Sequence, residues 1–261
     1  WGKTAANDYP KSTSDKAIIP AGADVTVVIT NDIKVYQVTF NAGCSFTLKG
    51  VAANGVVPQL NSNNNFADNG VVKFKLDGAY FYRNGGWTPK AGSSFELVNC
   101  AKLYLSEFYL TTMDSVSLSG GSTMSVNQLF FNGKGRTLTI DDSTFEARSH
   151  TYLGTANPGG GHIVFKGAHP IFRVLSGECR TNNNNAGMTD MFDFDFEVPA
   201  GGFDEIPVQL YGNMLGNGQG NLPAGYFRFN VLEGSAATGS DLDFCAAFSA
   251  KGIYRAKAST A

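Results

Sequence analysis

Phe46-Thr47-Leu48-Lys49-Gly50 is the stretch whose reading decides the fold, because its pattern returns five more times. The copies are Phe74-Lys75-Leu76-Asp77-Gly78, Phe95-Glu96-Leu97-Val98-Asn99, Val116-Ser117-Leu118-Ser119-Gly120, Leu138-Thr139-Ile140-Asp141-Asp142 and Ile163-Val164-Phe165-Lys166-Gly167. Their first positions advance by 28, 21, 21, 22 and 25 residues. Within each copy, alternation with period two sends the apolar side chains to one face and Thr, Ser, Lys and Glu to the other. Gly, Asn or Asp then closes the unit, and these residues tolerate the left-handed backbone that turns a chain through a corner. A short strand repeated at this step cannot bury its own apolar face, so it must stack on its neighbours. The expected fold is all-β: a right-handed parallel β-helix with coils of about 21–25 residues. The alternative is an antiparallel sandwich with regularly spaced strands.

Second strands are visible inside the repeat, at Leu103-Tyr104-Leu105 and Leu129-Phe130-Phe131. No amphipathic helical run exceeds two turns. From about Asp190 the cadence stops and longer alternating stretches follow, the clearest being Phe192-Asp193-Phe194-Asp195-Phe196-Glu197-Val198. Residues 1–189 are therefore expected to form the β-helix with an N-terminal β lead-in. Residues 190–261 are expected to form a C-terminal antiparallel β cap or small β-sandwich covering the open sheet edges.

Composition narrows the partners. Only 16% of the 261 residues are charged, against roughly 25% in ordinary soluble domains. A net charge of −2 offers no electrostatic footprint for nucleic acid. No stretch approaches the ~18 apolar residues of a membrane-spanning helix. Few charges and a first residue of Trp1 rather than Met suggest a chain cut from an exported precursor. The four cysteines lack the close pairs of a zinc or thioredoxin-like site. Among three connectivities, a Cys179–Cys245 disulfide is the one favoured by position, with buried free thiols as the alternative.

The N-terminal stretch reads Trp1-Gly2-Lys3, Asn7-Asp8-Tyr9-Pro10, Ser14-Asp15-Lys16-Ala17-Ile18-Ile19-Pro20-Ala21-Gly22, Val25-Thr26-Val27-Val28, then Asn41-Ala42-Gly43-Cys44-Ser45-Phe46-Thr47-Leu48-Lys49-Gly50. It resembles the opening of autotransporter-type passenger regions and related bacterial surface proteins with β-strand repeats. The likeness covers about 50 residues, with looser echoes to about residue 180. It implies a right-handed β-helix on or outside a bacterial envelope. The chain differs from that pattern in carrying neither a membrane barrel after the repeats nor a terminal sorting helix.

Three constellations deserve chemical scrutiny. The pectin-degrading hydrolases of this fold place Asn-x-Asp, Asp-Asp, Gly-His-Gly and Arg-x-Lys on successive coils. Here Asp141-Asp142 precedes Gly161-His162 by about one coil, which would bring paired carboxylates near an imidazole for acid–base work on a glycosidic bond. The Asn-x-Asp and Arg-x-Lys partners are missing, and turn chemistry alone accounts for an Asp pair at the corner. Asp193, Asp195 and Glu197 form an acidic stripe, expected as a solvated face, with Ca²⁺ binding as the functional alternative. Tyr80, Tyr82 and Trp87 make a candidate sugar-stacking platform, against simple packing along the coils.

The expected function is non-enzymatic: a secreted, extracellular or cell-surface subunit that assembles with itself into a fibre, sheath or surface layer. No catalytic residue and no cofactor are assigned. The first alternative is a polysaccharide-binding or polysaccharide-cleaving β-helix using Asp141, Asp142 and His162. The second is an adhesin or tail-spike-like module.

Overall fold

The computed structural model describes residues 12–53, 55–63, 67–68, 70–111, 113–133, 135–154, 159–180, 190–211, 213–215, 227–232 and 248–250. Among these there are only strands and connections, with no helix. The strands form three sheets of nine, thirteen and three members. Every strand-to-strand ladder is parallel, and the antiparallel contact among the described residues is a lone bridge between Ala53 and Val56.

The sequence repeat maps onto the nine-stranded sheet. Its members are Asp24–Ile29, Cys44–Gly50, Val72–Asp77, Ser94–Val98, Ser115–Leu118, Thr137–Asp141, Gly159–Lys166, Asp190–Phe196 and Phe227–Val231, in that spatial order. Phe46, Phe74, Phe95, Val116, Leu138 and Ile163 are register partners one after another. The first positions of the six copies thus stand in one row. Between visits the chain crosses the thirteen-stranded sheet, so each strand pairs with one from the preceding circuit. This cyclic visiting of parallel sheets is compatible with a parallel β-helix. The three-stranded sheet, Lys16–Ile19, Gln37–Phe40 and Ala67–Asp68, accompanies the first circuits only.

Leu103–Leu105 and Leu129–Phe131 belong, as expected, to a second set of strands, Lys102–Leu110 and Thr123–Phe131. In both, the inside–outside alternation slips by one residue, at Ser106-Glu107 and at Asn127-Gln128. One long strand thereby serves two faces of the circuit.

The core is a set of stacked rows. Phe74 is 2% exposed, with ring centroids 5.8 Å from Phe46, 5.3 Å from Phe95 and 5.3 Å from Trp87. A second row runs Leu48, Leu76, Leu97, Leu118, Ile140, Phe165 and Phe196, all buried. Like stacks on like because neighbouring parallel strands lie ~4.8 Å apart, a spacing that suits offset aromatic and aliphatic stacking.

The corners explain the closing Gly, Asn or Asp. Asn99 and Asp142 have φ of +57° and +43°, and Gly167 has +76°. A Cβ on Gly167 would also fall 2.3 Å from Asp142 Oδ1, so both conformation and space demand glycine there. The corners tie to one another through backbone hydrogen bonds: Cys100 N–H to Gly120 O at 2.8 Å, Gly121 N–H to Asp142 O at 3.0 Å.

The antiparallel cap expected after residue 190 is not what the described strands form. Asp190–Phe196 pairs in parallel with Gly159–Lys166 on one side and Phe227–Val231 on the other. Val208–Leu210 likewise pairs in parallel with Ile171–Val174 and Phe248–Ala250. The nine-stranded sheet runs without interruption across residue 190. The cadence vanished from the sequence because the connections lengthen: the register partners Ile163, Phe194 and Phe229 are 31 and 35 residues apart. Alternation within the strands survives, and it keeps the apolar side chains in phase with the rows before them.

Candidate functional site

Asp141 and Asp142 stand at the corner that ends Thr137–Asp141, whereas His162 pairs with Thr137 at the other end of that strand. Four residues of strand separate the two positions, about 13 Å. The acid–base trio is therefore not assembled. Asp142 is occupied otherwise: its Oδ1 accepts the backbone N–H groups of Ala168 at 2.7 Å and His169 at 2.9 Å. Asp141 faces Lys166 in register. Burial, and then the neighbouring Asp142, push its carboxyl above the usual range. Asp142→Ala should lower stability by about 1–2 kcal/mol, since two turn donors lose their acceptor, while Asp142→Asn should retain most of it. Equilibrium urea unfolding of the two variants checks the difference.

His162 is drawn into a different group. Its Nδ1 lies 3.0 Å from Asp195 Oδ2 and 3.5 Å from Asp193 Oδ2 on the next strand. One strand further, Arg228 donates from Nε to Asp193 Oδ1 at 2.6 Å and from Nη2 to Oδ2 at 2.8 Å. Asn230 Nδ2 donates to Asp195 Oδ1 at 2.6 Å. The fork-to-fork pairing with Asp193 holds the Arg228 guanidinium above its ordinary range. The two Asp side chains are only 3% and 10% exposed. The acidic stripe is thus not the solvated face expected of it, because the adjoining strands present donors at the same register positions. Glu197, half-exposed, pairs with Lys166 at 2.7 Å. Among the described residues, no group of three or more His, Cys, Asp or Glu side chains is arranged to hold a metal ion. The network links three successive strands by charge-assisted hydrogen bonds.

The aromatic platform also rearranges. Trp87 is buried in the core, stacked on Phe40 at 5.5 Å and 7°, and cannot meet a sugar. Tyr80 and Tyr82 do lie half-buried on the outer face of the thirteen-stranded sheet. Tyr82 stacks on Tyr104 at 4.8 Å and 6°, with the Arg148 guanidinium 5.7 Å from the Tyr104 centroid. A second ladder, Tyr109, Phe130 and Tyr152, stacks at 4.3 and 4.7 Å. Tyr109 donates its hydroxyl to Glu107 at 2.9 Å. Burial, and after it this bond, push its phenol upward.

Cys179 faces the core as a free, buried thiol. Burial pushes it up to about 12, so it behaves as a small apolar side chain. Cys245 lies outside the described residues.

No protein family, curated protein or solved structure matches this chain. The sequence and the geometry above carry the functional argument alone.

Arg228 and Asn230 were missed as partners of the acidic stripe, although the signal was present. Arg228-Phe229-Asn230-Val231 alternates in the same phase as Asp193-Phe194-Asp195-Phe196. The outward ladders were also legible: Tyr82 to Tyr104, Tyr109 to Phe130 and Phe130 to Tyr152 are separated by 22, 21 and 22 residues, the step of the repeat itself.

Proposed function

We propose that the chain is an exported structural subunit, a right-handed parallel β-helix that assembles with copies of itself into a fibre, sheath or surface layer. The observation that carries this reading is the state of the first circuit. Lys16–Ile19, Asp24–Ile29 and Ile33–Val35 each end their sheet and pair on one side only among the described residues. Asp24–Ile29 uses the carbonyls of Ala23 and Ile29 toward its neighbour, Cys44–Gly50. By the alternation of a parallel ladder, Asp24, Thr26 and Val28 then aim their N–H and C=O groups at the open side. Ile18 and Val28 are 57% and 56% exposed on these edge strands. An edge of this kind is a template for another strand, and low charge density lets copies approach.

Electron microscopy and sedimentation over a concentration series test the reading. Ordered filaments or sheets should appear, with an axial repeat of about 43 Å for nine stacked strands. Val28→Pro, which removes an outward-facing N–H and leaves the internal ladder intact, should suppress them. A monomer that persists at high concentration would sink the proposal.

A second reading, polysaccharide binding at the cell surface, has one observation in its favour, the outward ladders Tyr82–Tyr104 and Tyr109–Phe130–Tyr152. Co-sedimentation with insoluble glycans, lost in Tyr104→Ala, would support it over assembly.

A further inference from the structure

The outward stack of Tyr82 on Tyr104 sets two phenols of successive circuits side by side. We propose that this pair is a site of oxidative cross-linking: in contact with hydrogen peroxide and a peroxidase, the two rings couple into dityrosine and staple one circuit to the next. The staple lies within one chain, so it forms whether or not copies assemble.

Register brings the pair together. Tyr82 and Tyr104 are partners across the parallel ladder between Tyr80–Arg83 and Lys102–Leu110. Strands in such a ladder lie ~4.8 Å apart, and the two ring centroids stand 4.8 Å apart with planes at 6°. Both side chains are half-buried on the outer face of the thirteen-stranded sheet, where a dissolved oxidant reaches them. Ladder hydrogen bonds hold both strands, so a radical on one ring meets the other through side-chain rotation alone. Such proximity turns an encounter between chains into a step within one chain, at an effective concentration that separate chains do not reach.

In the coupling, each phenol gives up one electron and one proton and becomes a phenoxyl radical. The radicals join by one carbon–carbon bond between ring positions adjacent to the oxygens. The hydrogen on each bonded carbon then moves, as a proton, to the oxygen of its own ring. The net loss from the protein is two electrons and two protons, which reduce one molecule of hydrogen peroxide to two of water.

The neighbouring rings are set differently. Tyr80 meets Tyr82 edge-on, at 6.3 Å and 88°. Burial, and then Tyr82, push the Tyr80 phenol above its usual range, so it releases its proton less readily. Tyr109 and Tyr152 share the second outward ladder, but Phe130 lies between them at 4.3 and 4.7 Å. A ring without a hydroxyl forms no phenoxyl radical. That ladder is a built-in control, with the same stacking and no two phenols adjacent.

Treating the full chain with hydrogen peroxide and a peroxidase, at high dilution, tests the site. The chain should lose two hydrogens in intact mass, gain dityrosine fluorescence and still run as a single chain under denaturing conditions. Trypsin, cutting after Arg83 and Lys102, separates Tyr82 from Tyr104. A joined pair of peptides therefore identifies the bond, whereas a Tyr80–Tyr82 link stays within one peptide. Tyr104→Phe keeps the stack, removes one phenol and should abolish the mass change. Phe130→Tyr should add a second link and lose two further hydrogens. The oxidised wild-type chain should also melt higher than Tyr104→Phe treated alike, because a bond between positions 22 residues apart restricts the unfolded chain as a disulfide does. Equal melting temperatures would deny the bond its stapling role. Coupling that survives Tyr104→Phe, maps to Tyr80–Tyr82 or between chains, or never appears in the wild type would overturn the site, as would a Phe130→Tyr chain that gains no link.

Discussion

Phe74→Ala is expected to cost about 3–5 kcal/mol, the largest loss of any single truncation in this core. Phe74 is the point where the aromatic rows of three faces meet. Its ring lies 5.9 Å from Phe40 and 5.7 Å from Phe81, in addition to Phe46, Trp87 and Phe95. Removing it leaves a cavity that these neighbours cannot close, because each is anchored in its own strand by ladder hydrogen bonds. Circuits contact only the circuits before and after them, so a defect here weakens the junction between Cys44–Gly50 and Ser94–Val98 and not the far end. Equilibrium unfolding followed by the fluorescence of buried Trp87 should report a lowered midpoint. Loss of less than 1 kcal/mol would show that the ladder packs more loosely than its geometry implies.

Gly50→Ala should be nearly as damaging, for a reason no composition could reveal. A Cβ at residue 50 would fall 2.2 Å from the carbonyl oxygen of Gly78 and 2.9 Å from Cα of Ala79. Both are backbone atoms of the next circuit, and they can yield only by separating two successive circuits at a corner. The expected loss is about 3 kcal/mol, at the upper end of overpacking costs. Gly201→Ala is the matched control, since a Cβ there meets nothing within 4 Å, and it should be neutral or slightly stabilising. Thermal melts of the pair check the contrast. Equal melting temperatures would mean that the corner at Gly50 opens more readily than its contacts indicate.

The candidate site was legible only in fragments. His162, Asp193 and Asp195 each drew attention in the sequence, but under two separate chemistries, catalysis and calcium binding. Their true partners depend on which strand lies beside which, and that is a property of register. The same holds for Trp87: an aromatic residue directly after a Gly-Gly pair reads equally well as a platform or as core, and only its stacking on Phe40 decides.

What the sequence determined by itself was local: strands, their inward faces and their corners. Period-two alternation and left-handed-tolerant residues act within a few positions, so Phe46 to Gly50 and its five copies announce themselves wherever they occur. The tertiary structure alone decided that the same parallel stacking runs on through Asp190–Phe196 and Phe227–Val231. It alone turned an acidic stripe into the middle of a three-strand network. Pairing partners 31 and 35 residues apart leave no periodic trace once their connections lengthen. Loop length costs the chain little free energy, so long connections can vary while the faces they join stay in register.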